Sequence, residues 1–507
     1  MASTEVKAAA RFGYGVRPGQ PQTADPDDIL QQLTAAPKAT CLFPLGGEQA
    51  RLAEVAAFVE EGKRLAQQRK AGEPDGEARK QYNRAARQAG QRDQQARVAQ
   101  AVLSPYGFHE RLASFWVNHF AVSLNKGAIM SLIVPLYETQ AIRPNLAGRF
   151  VDLLTATALH PAMLRFLDQV ASVGPHSPAG LKLADRTGVN ENFAREVMEL
   201  HTLGVNSGYQ QADVRQMALL LTGLSFQPAT VEAVYRPRRA EPGEFTVLGK
   251  TYERSRKPFA TARSVFEDLA ADPRTARHIS AKLVYHFITE EPKPDLVAAM
   301  AQRWQETGGE LAAVYRVMLE SPLALAAPQT KIKLPFDYTV SVLRALGASQ
   351  DDLLPADTEA EGTAPGQNVG MAMAEPMGGM AMDSASARGM GKGKAQPPSR
   401  DPKPGRLGKL GVRTVKDLGQ PIWSPSDAAG FKDASETWSG SSQLAERISF
   451  VRRAVGQLDD GTQDPRDFAA AVLGDTARPE TTKIVGQAPN RRLGLLLAMI
   501  SPEFNRR

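Results

Sequence analysis

The stretch Gly188–Leu224, GVNENFAREVMELHTLGVNSGYQQADVRQMALLLTGL, decides the fold class. Apolar residues recur at three- and four-residue spacing on both sides of a Gly-Tyr turn, the period of an amphipathic helix. At about 100° per residue, Glu191, Asn192, Arg195, Glu196 and Glu199 fall on one arc of the first helix. Phe193, Ala194, Val197, Met198 and Leu200 fall on the other, with His201 among them. Glu191, Arg195 and Glu199 have the i,i+4 spacing of an ion-pair ladder. Glu196 and Glu199 lie about 60° apart on the same face, as two metal-ligating or acid/base carboxylates could. No Glu-x-x-His or His-Glu-x-x-His spacing is present, so any metal here needs ligands from a second helix. Gly208-Tyr209-Gln210-Gln211-Ala212-Asp213 turns into the second helix, with Gln210 as a cap and Asp213 in the first turn, where a carboxylate suits the helix dipole. Tyr209 is placed to line a pocket.

Upstream, FHERLASFWVNHF (Phe108–Phe120) reads as a helix on which Phe108, Leu112, Phe115 and His119 share one face, with Asn118 at its edge. His119 and His201 are thus two inward histidines on different helices. Meeting in the core, they would present imidazole nitrogens to a metal, a haem or a substrate proton. Inward histidines and a paired polar helix can equally serve only to fix the core. Downstream, His278, Lys282, Tyr285 and His286 flank Ile279, Leu283 and Phe287, and read as the boundary of an amphipathic helix.

The rest of the chain is also helical in pattern. Glu48 to Leu103 is rich in Ala, Gln, Arg, Lys and Glu, broken at Gly72-Glu73-Pro74-Asp75-Gly76, and reads as a helical hairpin with a basic, solvated face. Only Glu232 to Tyr252 alternates around Pro-Gly, as a small β-hairpin or an extended excursion would. The expected fold is mainly α, a large multi-helix core of orthogonal or bundle-like packing. Its expected parts are an N-terminal helical region over 1–104, a core over 105–348, a low-complexity disordered loop over 349–412 and a C-terminal helical segment over 413–507 that packs on the core. The loop is rich in Gly and Met and too poor in branched aliphatics to bury a core. Met371, Met373, Met377, Met380, Met382 and Met390 give it the M-x-M spacing that suits Cu(I), without His or Cys to support it.

Bulk properties exclude several classes. At 507 residues, 42% hydrophobic and 23% charged, the chain has the composition of a soluble globular protein. A formal charge of +6 is small for this length and points to neither nucleic acid nor a membrane surface. Cys41 is the single cysteine, so intramolecular disulfides and Cys-rich metal sites are excluded. No apolar run reaches the length of a transmembrane helix, and MASTEVKAAARFGYG lacks the apolar core of a secretory signal, so a cytoplasmic location is the expectation. P-loop, dinucleotide-binding and nucleophile-elbow signatures are absent.

Taken together, FWVNHFAVS (Phe115–Ser123) and NENFAREVMELHTLGV followed by GYQQADV resemble the bacterial family termed domain of unknown function 1800. AAARFGYG (Ala8–Gly15), HPAMLRFLD (His160–Asp168), ARHISAKLVYHF (Ala276–Phe287), PFDYTVSVLRALG (Pro335–Gly347), LGQPIWSPSDAAGF (Leu418–Phe431) and the terminal SPEFNRR extend the resemblance along nearly the whole chain. The family usually has tryptophan where this chain has Leu224 and Phe431. The resemblance implies a largely helical protein. It also implies a sulfatase-like partner, domain of unknown function 1501, encoded by neighbouring genes and often exported, which would make the location periplasmic by co-export. It carries no agreed reaction.

Two functions are therefore expected. One is a metal- or haem-dependent oxidoreductase or hydrolase with His119, Glu196, Glu199 and His201 as catalytic or metal-ligating residues. In that reading Asn118, Asn192, Arg195 and Tyr209 contact substrate. The other is a non-catalytic helical scaffold that accompanies the sulfatase-like partner.

Overall fold

A computed structural model describes residues 3–183, 188–257, 259–326, 328–355 and 404–507. The methionine-rich stretch and its proposed Cu(I) thioethers lie outside the described residues. The architecture is mainly α, as the periodicity predicts. One continuous apolar cluster runs from Ala8 through Phe504, so the first and last helices share a core.

At its centre lies α4 (Gly107–His119), preceded by α1 (Ser3–Phe12), α2 (Gly47–Lys70) and α3 (Gly76–Leu103). The α2–α3 pair is the helical hairpin expected around Gly72. Helix α4 is buried on almost every side, including His109, Glu110 and Arg111. Its first turn takes a side-chain cap from far away: Phe108 N–H donates to Gln32 Oε1 at 2.9 Å. Gly13 and Gly107 let α1 approach, since a Cβ on Gly107 would sit 3.2 Å from the Gly13 Cα. Around α4 are α5 (Met130–Tyr137), which runs into a π turn over Glu138–Ile142, then α6 (Glu191–Glu196) and α7 (Gln211–Leu220). Next come α8 (Pro273–Phe287), α9 (Pro294–Thr307), α10 (Leu311–Glu320), α11 (Pro335–Ala345), α12 (Arg406–Asp417), α13 (Ser441–Leu458) and α14 (Arg491–Ile500). Helix α3 packs on α5, α11 and α12, and α12 packs on α13, so the segment after residue 404 is built into the core.

Two local features differ from the sequence expectation. The single hairpin expected within 232–252 is two antiparallel hairpins, β1 (Leu224–Gln227) with β2 (Glu232–Tyr235), and β3 (Glu244–Val247) with β4 (Lys250–Glu253). Strand β1 follows the apolar end of α7 with only Gly223 to break the run. Gly223 has φ +91, and a Cβ there would meet Ala240 Cβ at 2.9 Å. Asp213 ties the second hairpin down, accepting from Gln210 N–H and Leu248 N–H, both at 2.8 Å. The helix that reads as continuous through His201 is α-helical only to Glu196, then widens into a π turn over Val197–Thr202. Thr202 Oγ1 donates to the Val197 carbonyl at 2.7 Å there. Such turns change the angular register and are frequent at functional sites.

Charged groups in this core are paired into chains. Arg143 holds Glu110 bidentately at 3.0 and 2.7 Å and reaches Glu138 at 3.0 Å, while Arg97 Nε meets Glu138 at 2.7 Å. The guanidinium beside Glu110 keeps its carboxyl well below the usual range, against the opposing effect of burial. Removing one partner strands the others in a low-dielectric interior. Arg143→Met should therefore destabilise the protein by about 3–5 kcal/mol in denaturant unfolding. A loss below about 1 kcal/mol would show that these ions are not held as described.

Candidate functional site

A cavity of about 320 Å³ opens beside the C-terminal half of α4, bounded by α8, the start of α11 and the loop Gln420–Asp433. Its walls are mostly apolar, from Phe115, Val122, Phe336, Ile422, Trp423 and Phe431. Its polar groups converge from several segments: Asn118 and His119 from α4, Lys282, Tyr285 and His286 from α8, Lys432 and Asp433 from the loop, and the mutually paired Arg97 and Glu138 with Asp337 at the start of α11. A small-molecule site commonly has this composition, an apolar hollow with a few placed polar groups.

His119 is the hinge of the arrangement. Its Nε2–H donates to the His201 carbonyl at 3.2 Å, so Nδ1 is the acceptor, and Lys282 Nζ donates to it at 2.9 Å. Burial holds His119 far below its ordinary pKa, and the charge on Lys282 adds to this. The imidazole is therefore neutral, in the tautomer its two partners dictate. Burial likewise brings Lys282 down to about 8. Lys282 forms no ion pair among the described residues. A second pair lies alongside: His286 Nδ1–H donates to Asp433 Oδ2 at 2.8 Å, and Arg111 donates to His286 Nε2 at 3.0 Å. Burial pushes His286 to about 3, so it too is neutral. Asp433 also takes Arg507 at 2.6 Å and Lys331 at 3.3 Å, and Arg507 and Arg111 both grip Asp337.

The floor is set by backbone. Asn118 Nδ2 donates to the Phe431 carbonyl at 2.9 Å, and Phe431 N–H donates to Asn118 Oδ1 at 2.7 Å. Asn118 thus acts here as a clamp on the loop, and Phe431 supplies wall. Trp423 has φ +53, an uncommon conformation for a large residue, and its indole N–H donates to Glu138 Oε2 at 2.8 Å.

The other expected site residues lie apart from this cavity. His201 packs beside His119 with ring centroids 6.1 Å apart, fully buried, both ring nitrogens without a hydrogen-bond partner. Burial lowers it to about 3. Glu196, Glu199, Asn192, Arg195 and Tyr209 do not line the cavity. Arg195 bridges Glu191 and Glu199 at 3.7 and 3.3 Å, which is the ladder its spacing suggests. Burial and the neighbouring Glu199 raise Glu196. Among the described residues no group of three or more His, Cys, Asp or Glu side chains is arranged to hold a metal. Sequence reasoning did not bring Lys282, His286, Asp433 and Arg507 together. The α8 stripe was the available signal, but periodicity cannot say whether a polar face meets solvent or a cavity.

A family model described as protein of unknown function (DUF1800) matches residues 7–506. The chain belongs to this family. No curated protein and no solved structure matches it. The stretches FWVNHF, ARHISAKLVYHF and LGQPIWSPSDAAGF, together with the start of α11, supply most of the cavity wall. Among the described residues, no helix is long and apolar enough to cross a membrane.

Gly430 has φ +75, and a Cβ there would lie 2.3 Å from the Asn118 carbonyl. Gly430→Ala should cost about 2–5 kcal/mol, from the left-handed backbone and the broken Asn118 clamp. It should also shift Trp423 emission. A stability and spectrum equal to wild type would refute the clamp. Three lysines near the cavity, Lys282, Lys331 and Lys333, are lowered by burial to about 8, 8 and 7 from 10.5. Between those values and 10.5 the unfolded chain binds more protons than the folded one, so their contribution makes stability rise with pH across that window. Thermal melts from pH 7 to 10 should show a shallower rise for Lys333→Met than for wild type, and an unchanged slope would contradict the assignment.

Proposed function

We propose that the chain is an enzyme acting on a small molecule in the cavity beside Lys282, with Lys282 and His119 as its proton-transfer couple. The observation that carries this reading is a largely buried amine of pKa about 8, hydrogen-bonded at 2.9 Å to a neutral imidazole. An amine brought that close to neutrality can hold or release a proton at working pH, which an ordinary lysine does poorly. His119 accepts from it and orients it, and His119 is itself fixed by the His201 carbonyl. His286 and Asp433 supply a second, fixed dipole on the same wall.

The metal- or haem-dependent reading, with His119, His201, Glu196 and Glu199 as ligands, asks more of the same residues. His119 would have to exchange Lys282 for the metal at Nδ1, and Glu196 and Glu199 would have to turn toward a cavity they do not line. Proton transfer needs no such rearrangement, so the geometry supports it better.

The test is an unbiased turnover screen. Purified protein is incubated with pools of small metabolites, with and without added divalent metals, and consumption is followed by mass spectrometry. Any reaction of this cavity should fall about 10²–10⁴-fold in Lys282→Met and His119→Ala, while Glu199→Gln leaves it unchanged. The wild-type kcat/KM should titrate near pH 8, and that titration should vanish in Lys282→Met. Turnover indifferent to both substitutions would sink the proposal. It would favour the accessory reading, a helical scaffold that accompanies a sulfatase-like partner.

A further inference from the structure

The charge around the cavity is unbalanced. Its four neighbouring carboxylates, Glu110, Glu138, Asp337 and Asp433, are all claimed by arginines or by Lys331 in the ion chains already described. Lys282 faces the cavity interior and exposed Lys432 also lines it; neither pairs with a carboxylate among the described residues. Fully buried Lys333 sits behind this wall over the Phe504 ring at 4.3 Å, again with no ion pair among the described residues. A hollow with low-dielectric walls and unmatched charge of one sign concentrates ligands of the other sign. The remaining wall is mostly apolar, which favours a ligand that also brings hydrocarbon.

We infer that the ligand of this cavity is a small organic monoanion, a carboxylate on an apolar body, whose charged end pairs with Lys282 while the body lies on Phe336, Ile422, Trp423 and Phe431. This names the substrate class of the reading above and rests on it. Of the two unpaired lysines that line the cavity only Lys282 is withdrawn from solvent, and one such cation matches a single negative charge. The titratable groups acting on or through Lys282 are His119, His201, His278 and Asp433, and Asp433 is already taken by His286, Lys331 and Arg507. A bound carboxylate therefore stabilises the protonated amine and lifts its pKa, loading onto Lys282 a proton that the bound molecule can receive. The three histidines are held neutral by burial and take no part in this uptake near pH 8.

Titration calorimetry on the whole chain tests this with three isosteric probes, 4-phenylbutyrate, 4-phenylbutanamide and 4-phenylbutylamine. At pH 7 the carboxylate should bind at least about tenfold tighter than the amide, and the amine weakest. At pH 8, comparison across buffers of different ionisation enthalpy should show uptake of up to about half a proton with the carboxylate, because Lys282 is then half-protonated. At pH 6 uptake should disappear. Lys282→Met should bring the carboxylate down to the amide's affinity and abolish uptake, leaving the amide unchanged. The ligand series on unaltered protein stands even if that variant folds poorly. The inference is overturned if the carboxylate does not bind, if the amide or amine binds as tightly, or if Lys282→Met keeps the preference. None of these readouts needs turnover. A carboxylate preference with turnover indifferent to Lys282 leaves the anion site standing and removes the proton-transfer reading. Turnover lost in Lys282→Met with the amide bound equally well does the reverse.

Discussion

A helix buried on almost every side yet carrying charge is the constraint on which this protein is built. Glu110 and Arg111 sit consecutively on α4, each almost wholly excluded from water. Consecutive helical residues point about 100° apart, so the two must find partners on different sides. Glu110 finds Arg143 and Arg97, which draws in the π turn after α5 and the long helix α3. Arg111 finds Asp337 and His286, which draws in α11 and α8. Desolvating such ions is tolerable only when every one is paired. The partners of Glu110 are near in sequence and those of Arg111 distant, and Arg507 on Asp337 adds the C-terminal segment, so the pairing ties the N-terminal hairpin and the C-terminal segment to one core.

The cavity follows from that arrangement. Helices forced to present charge to one another at their middles leave apolar side chains and a few spare polar groups where α4 ends. Phe120 breaks the helix with φ −99 and ψ 57, and the loop Gln420–Asp433 closes over the gap through the Asn118–Phe431 clamp. The lysines are the residue of this packing. Lys282 and Lys333 are buried because the fold closes around them, and unmatched because the nearby carboxylates are already committed to arginines and, for Asp433, to Lys331 as well. Their lowered pKa values are a consequence of position, and the chemistry open to the site comes from the same cause.

The legible parts of the sequence were those that depend on short-range periodicity. The α2–α3 hairpin, the inward face of α4 through His119, the ladder on Glu191, Arg195 and Glu199, and the cap region at Asp213 all repeat at helical spacing and are present. Strand β1 was hidden because LSFQ continues the apolar run of α7 past a single glycine. The π turn was hidden because nothing in VMELHT distinguishes five-residue from four-residue hydrogen bonding. His201 was expected inward and lies inward, but Glu196 and Glu199, on the same helix, remain on its outer face.

By itself the sequence determined the helical class, the family and the inward face of His119 and of His201, because each is encoded in local spacing or in a contiguous motif, while the meeting of the two rings belongs to the fold. Only the tertiary structure decided that the polar stripe of α8 faces a cavity rather than solvent. It alone set Asp433 and Arg507 beside His286 from positions 147 and 221 residues away. The physical reason is that burial and charge balance are properties of the closed core. A lysine's pKa depends on which groups the fold brings within a few ångströms of it, and no periodicity in the chain records that.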